Sequence, residues 1–105
     1  MLRIYPVVLQ LIRDVRPLVE ALERRDADLA RQCRRALCSV PLNLTEGSVS
    51  QGGNRRARYY NALGSLRESL ACFETACAFG YLEPLPEATF DRFQHILATL
   101  LRLVR

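Results

Sequence analysis

The sequence contains no lysine: all fifteen basic residues are arginine. It has one histidine, His95, and no run of eighteen apolar residues. The last absence excludes a membrane-spanning helix, which needs about twenty. No P-loop, dinucleotide fingerprint or zincin motif is present, which removes the common nucleotide- and zinc-dependent enzyme signatures. The four cysteines form two pairs five residues apart, Cys33/Cys38 and Cys72/Cys77. That spacing suits neither a CxxC redox motif nor a zinc site. No alternating strand pattern bounded by hairpin turns occurs, and there is no internal repeat or low-complexity segment.

What is present fits a globular chain. Half of the 105 residues are apolar and 25% are charged, which is too oily for disorder and enough for one domain over residues 1–105. The opening MLRIYPVVLQLIRDVR is not expected to be a signal peptide. Pro6 interrupts its short apolar stretch, and Arg13 and Asp14 follow at once. A cytoplasmic, reducing compartment and four free thiols acting as small hydrophobes are therefore expected. Residues 1–58 carry eleven Arg against six acids, and residues 59–105 carry four against five. A net charge of +4 is modest, and a solvated surface accounts for it. The same asymmetry also permits an RNA or acidic-protein partner.

Four segments repeat apolar residues at helical spacing. Ile4, Val8, Leu11, Val15, Leu18 and Leu22 alternate steps of four and three. Leu29, Cys33, Ala36, Val40 and Leu44 follow the rule less strictly. Tyr59, Leu63, Leu66, Leu70, Phe73 and Cys77 make a third seam, and Phe90, Phe93, Leu97, Leu100 and Val104 a fourth. Such seams pack helices at shallow crossing angles. Helices of roughly 18–25 residues, about 27–38 Å at 1.5 Å per residue, joined by short connections, predict an up-down-up-down antiparallel four-helix bundle.

Boundary residues agree. Arg24 and Arg25 suit the negative pole of a helix end. Asp26 or Asp28 can cap the second helix. The stretch Gly47–Gly53 reads as a flexible loop, with Asn54 capping the third helix. Gly80 ends that helix, and Pro86 or Glu87 opens the fourth. Pro17 and Pro41 lie inside helical patterns that resume beyond them. They predict kinks rather than ends, although each costs ~3 kcal/mol in a regular helix. Val7, Ile12, Ile96, Leu101 and Leu103 lie off the main seams. They predict an oligomer interface on helices one and four, with a simple widening of the stripes as the alternative.

The segment Ser39-Val40-Pro41-Leu42-Asn43-Leu44-Thr45-Glu46-Gly47 is followed by Tyr59-Tyr60-Asn61-Ala62-Leu63-Gly64-Ser65-Leu66-Arg67-Glu68 and Phe79-Gly80-Tyr81-Leu82. These blocks resemble a bacterial four-helix-bundle family encoded inside intervening sequences of 23S ribosomal RNA genes. The resemblance spans about residues 3–104. It implies a left-handed bundle and a ring-shaped homo-oligomer, usually a pentamer, with no catalytic activity and no cofactor. It also implies kinship with accessory proteins of diversity-generating retroelements, whose basic ring binds a reverse transcriptase and its RNA. The chain departs from the pattern after Gly47, where Ser48–Gly53 replaces a short aromatic or basic stretch.

Two constellations are candidates for function. Asn43 and Glu46 share a helical face, and Ser65 and Glu68 stand three apart on the next helix. The four make either a ligand pocket or, on the favoured reading, a polar clasp between helices two and three, with Arg58 as a further partner. Arg24, Arg25, Arg31, Arg34, Arg35, Arg55, Arg56 and Arg58 are the candidate nucleic-acid-binding residues. Only Tyr59 and Tyr60 adjoin them, so base-specific reading is not expected. The expected role is a non-enzymatic homo-oligomer that binds RNA or a nucleic-acid-processing protein. The alternative is a scaffold that binds another protein through apolar surface. No metal, cofactor, small-molecule substrate or membrane is expected as a partner. An enzyme would need a dyad of Cys72 or Cys77 with His95.

Overall fold

The structure is a computed structural model that describes residues 2–105. Its elements are α1 (Ile4–Arg25), α2 (Ala27–Val49), α3 (Gly52–Ala78) and α4 (Glu87–Leu103). They are 22, 23, 27 and 17 residues long, and no strand occurs among the described residues.

The turns are short because side chains serve the helix ends. Asp26 alone separates α1 from α2, and its carboxylate accepts from the Leu29 N–H at 3.0 Å. It satisfies a donor the first turn cannot satisfy itself. Gly80, at φ +76°, lets the α3 end fold back. Gly80 and Tyr81 N–H then donate to the Cys77 and Ala76 carbonyls, both at 2.9 Å, in a Schellman arrangement. Pro86 precedes α4, as the sequence allows. Neither Pro17 nor Pro41 ends its helix.

The expected loop at Gly47–Gly53 is mostly helix. Only Ser50 and Gln51 lie between α2 and α3. Polar side chains there occupy carbonyls that would otherwise fray. Ser48 Oγ donates to the Thr45 carbonyl at 2.7 Å, and Ser50 Oγ to that of Glu46 at 2.8 Å. Asn54 is not the cap: α3 begins at Gly52 behind Gln51, which makes no side-chain cap bond, and Asn54 is the third helical residue.

Cross-helix contacts fix the directions. Gly47 faces Tyr59, Ser39 bonds Ser65, and Cys33 meets Cys72, so α2 and α3 run antiparallel. Glu23 bonds Arg34 across the α1–α2 turn. Phe73 meets Phe93 edge-on at 6.2 Å, and Arg56 reaches the Val104 carbonyl at 2.9 Å, which reverses α4 against α3. Asp14 and Arg92, 2.9 Å apart, close the ring of neighbours between α1 and α4. The result is an up-down-up-down bundle measuring 43 × 25 × 19 Å.

The seams form the core, each shifted slightly toward its neighbours. Val19, rather than Leu18, is buried in α1, and Ala62, Ser69, Cys72 and Ala76 join the buried face of α3. Ser69 keeps its hydroxyl satisfied on the Leu66 carbonyl at 2.7 Å. Phe90 is exposed, whereas Ile96 is fully buried. The surplus apolar residues on α1 and α4 are largely absorbed: Val7, Ile12 and Leu103 pack against the core beside Ile96, and Leu101 remains 38% exposed. The stripes are thus wider than one seam, and Val7, Ile12 and Leu103 keep part of their surface accessible beside Leu101. The largest exposed apolar side chains include Leu42 and Val49, on the outer face of α2.

Candidate functional site

An open groove of about 470 Å³ runs beside the middle of α2. Its lining includes Arg34, Arg35, Leu42, Asn43, Glu46 and Arg58. Two further recesses continue it. One, of about 310 Å³, shares Arg35 and Ser39 and adds Gln32, Ser65 and Glu68. The other, of about 490 Å³, shares Arg58 and adds Ser50, Asn54 and Asn61.

The floor between these recesses is a short hydrogen-bonded chain. Asn43 Nδ2 donates to the Ser39 carbonyl and to Ser39 Oγ, both at 2.9 Å. Ser65 Oγ donates to the same Ser39 Oγ at 2.8 Å. The clasp between α2 and α3 therefore exists, but Ser39 is its centre. Glu46 and Glu68 are exposed, and their carboxylates make no hydrogen bond or ion pair among the described residues. They stand on the groove walls because an exposed carboxylate gains more from water than from a neutral hydroxyl. Sequence spacing pointed to Asn43 and Ser65. Ser39 was legible as the residue four before Asn43, one helical turn away.

The eight candidate arginines do not form one patch. Arg34, Arg35 and Arg58 share the groove. Arg34 is committed to Glu23 through a two-pronged contact at 2.8 and 3.2 Å. That hydrogen bond, then the charge behind it, holds the Glu23 carboxyl below its ordinary range and raises the Arg34 guanidinium. Arg35 and Arg58 have no ion-pair partner among the described residues. Arg55 Nε donates to the Gly47 and Ser50 carbonyls, at 3.2 and 2.9 Å, and Arg56 Nε to Val104. Both thus cap a helix end through Nε, on residues that are otherwise exposed. Arg24, Arg25 and Arg31 sit at the opposite end of the bundle. There Arg31 pairs with Asp28 at 2.7 Å, and Arg25 lies 5.5 Å over the Tyr81 ring.

A family model described as 23S rRNA-intervening sequence protein matches residues 1–105, the whole chain. The chain belongs to this family. No curated protein and no solved structure matches it. The groove draws Ser39, Leu42, Asn43 and Glu46 from the block that carries the sequence resemblance, Arg34, Arg35 and Cys38 from the turns of α2 before it, and Arg58 from α3. Ser65 lines the adjoining recess.

The thiols stand apart from this surface chemistry. Cys33 and Cys72 face each other and are buried, whereas Cys38 is exposed and Cys77 partly so. Enclosure, and then the adjacent Cys72, push the Cys33 thiol up to about 12. Enclosure, and then the charge of Glu68, also raise Cys72. Reactive cysteines need the reverse shift. His95 is exposed on α4, its carbonyl accepting from Thr99. Among the described residues no group of three His, Cys, Asp or Glu side chains is placed to hold a metal ion, and no helix is long and apolar enough to cross a membrane.

Proposed function

We propose that this family member is a non-enzymatic RNA-binding module that works as a homo-oligomeric ring, five copies being the number the family resemblance implies. The observation that carries the reading is the groove in which Arg35 and Arg58 stand without an ion-pair partner among the described residues, beside the hydrogen-bonded chain of Asn43, Ser39 and Ser65. Such a surface suits a phosphate backbone: the guanidinium fork matches phosphate oxygens, and the amide and hydroxyl floor offers further contacts. Repetition around a ring multiplies individually weak contacts. The exposed Arg surface offers no aromatic stacking ladder, so the binding is read as backbone-directed and tolerant of sequence. The test is RNA affinity against salt. Log affinity should fall linearly with log salt. Absence of retention at low salt, or indifference to salt, overturns the reading. Light scattering checks the assembly against the 12.0 kDa protomer, with a five-fold mass expected.

A second reading rests on Leu42 and Val49, 64% and 79% exposed and two helical turns apart on α2. Exposed apolar side chains in register on one helix face suit a protein partner, and this reading makes the chain a scaffold. Affinity capture from the native host separates the two: a partner that survives nuclease treatment supports the scaffold, and one that nuclease removes supports RNA.

A further inference from the structure

The antiparallel order brings four chain stretches to each end of the bundle, and charge sorts between the ends. At one end meet the start of α1, the α2–α3 turn and the end of α4. Residues 2–3, 46–58 and 99–105 carry Arg3, Arg55, Arg56, Arg58, Arg102 and Arg105 against Glu46 alone, a side-chain balance of +5. The Arg56–Val104 contact joins the α2–α3 turn to the end of α4, and the antiparallel order of α1 and α4 puts residues 2–3 at the same end. All six arginines are exposed, and none is ion-paired among the described residues.

The other end is the reverse. Residues 20–31 and 74–91 carry eight carboxylates against Arg24, Arg25 and Arg31, a balance of −5. Just beyond those ranges, toward the middle of the bundle, Arg34, Arg92 and Arg16 are tied to Glu23, Asp14 and Glu20. The bundle is 43 Å long, several times the screening length of about 8 Å at physiological salt. The acidic end therefore cannot cancel the field of the basic one.

Resting on the RNA-binding reading above, we infer that the polyanion engages the basic end of the bundle and that the acidic end faces away from it. Arg3, Arg102 and Arg105 belong to the contact, and Arg24, Arg25 and Arg31 do not. Arg55 and Arg56 present their guanidinium forks already fixed, since each Nε is anchored on a backbone carbonyl. Less side-chain freedom is then lost when a phosphate is met. Arg58 lies both at this end and in the groove, so a strand held on the end continues along α2 past Arg35.

Two triple variants with the same net charge test the orientation. One is Arg3→Gln, Arg58→Gln and Arg102→Gln at the basic end; the other is Arg24→Gln, Arg25→Gln and Arg31→Gln at the acidic end. Affinity for a fluorescein-labelled single-stranded RNA of about twenty nucleotides is read by anisotropy across a salt series, with thermal melting as the check of folding. The basic-end triple should lower affinity at least tenfold and reduce the log–log salt slope by about 2, as expected for three lost phosphate contacts on a single strand. The acidic-end triple should change affinity less than twofold. Equal losses in both triples mean that only total charge matters and overturn the orientation while leaving RNA binding in place. Salt-independent or absent binding by the unaltered protein overturns both. Capture by phosphatidylserine vesicles without RNA binding assigns the basic end to a lipid surface and also overturns the proposal. If a triple fails to fold, its three single substitutions carry the same comparison.

Discussion

Cys33 shows how much one enclosed side chain can say about stability. Its thiol is fully buried against Cys72 and titrates near 12 rather than at its ordinary 9.0. In the unfolded chain the thiol releases its proton near 9, but in the folded chain it holds on to it. Between those values the folded state binds more protons, so stability falls as pH rises, by about 1.4 kcal/mol per pH unit for one group. Below 9 the contribution is fully present. Cys72, raised for the same first reason, adds in the same direction. Thermal melts of the unaltered protein should therefore drop steeply above pH 9, and Cys33→Ala should flatten that slope. Equal slopes in the two proteins would contradict the assignment. The cysteine pattern announced small buried hydrophobes, and for Cys33 and Cys72 that is what the fold uses. Cys38 and Cys77 differ because a step of five residues turns a helical side chain well off the starting face.

At the scale of the element, α2 and α3 define the site, and Gly47 sets how closely they approach. It lies within α2, buried beneath the Tyr59 ring, and a methyl group there would fall 2.7 Å from Tyr59 Cδ1. Gly47→Ala gains about 1 kcal/mol of helix propensity but forces the ring or the helix to move. A net loss of about 1–3 kcal/mol is expected in chemical denaturation, and a stabilised variant would refute the close-packing account. In the sequence, the same glycine beside Ser48, Ser50, Gly52 and Gly53 reads as a loop. Composition carried that reading, whereas the fold is decided by hydroxyls and Arg55 occupying the free carbonyls of α2. The helices themselves were legible because periodicity records the core directly. The alanines Ala30, Ala62 and Ala76 escaped notice because a small side chain gives little hydrophobic signal, although each is fully buried. The clasp was half legible: spacing identified Asn43 and Ser65, but a carboxylate and a hydroxyl look equally suitable in sequence, and only burial separates Ser39 from Glu46 and Glu68.

Over the whole molecule, what was not legible was which arginines stand together. A linear reading groups Arg24, Arg25 and Arg31 with Arg34 and Arg35 because they are close in sequence. Antiparallel folding sends the first three to an acidic end and brings Arg3, Arg102 and Arg105 from distant positions to Arg55, Arg56 and Arg58. The same topology distributes stability unevenly. The α2–α3 interface is the most extensive in the bundle, and the interfaces of α4 with α3 and α1 are both smaller than that of α1 with α2. The fourth helix is also the shortest, at 17 residues, and its tie to α1 is the partly exposed pair Asp14–Arg92. Elements with the fewest tertiary contacts open first, at a free energy below that of global unfolding. Native-state hydrogen exchange should therefore find the slowest amides on α2 and α3 around Val40, Leu44, Leu63 and Leu66, and faster exchange across α4. Neutralising the pair with Asp14→Asn should speed α4 exchange while leaving α2 and α3 unchanged. Uniform protection across all four helices would mean that the bundle opens only as a whole. The groove and the basic end would then be equally rigid, and a ligand arriving at either would meet a surface that opening of α4 cannot reshape.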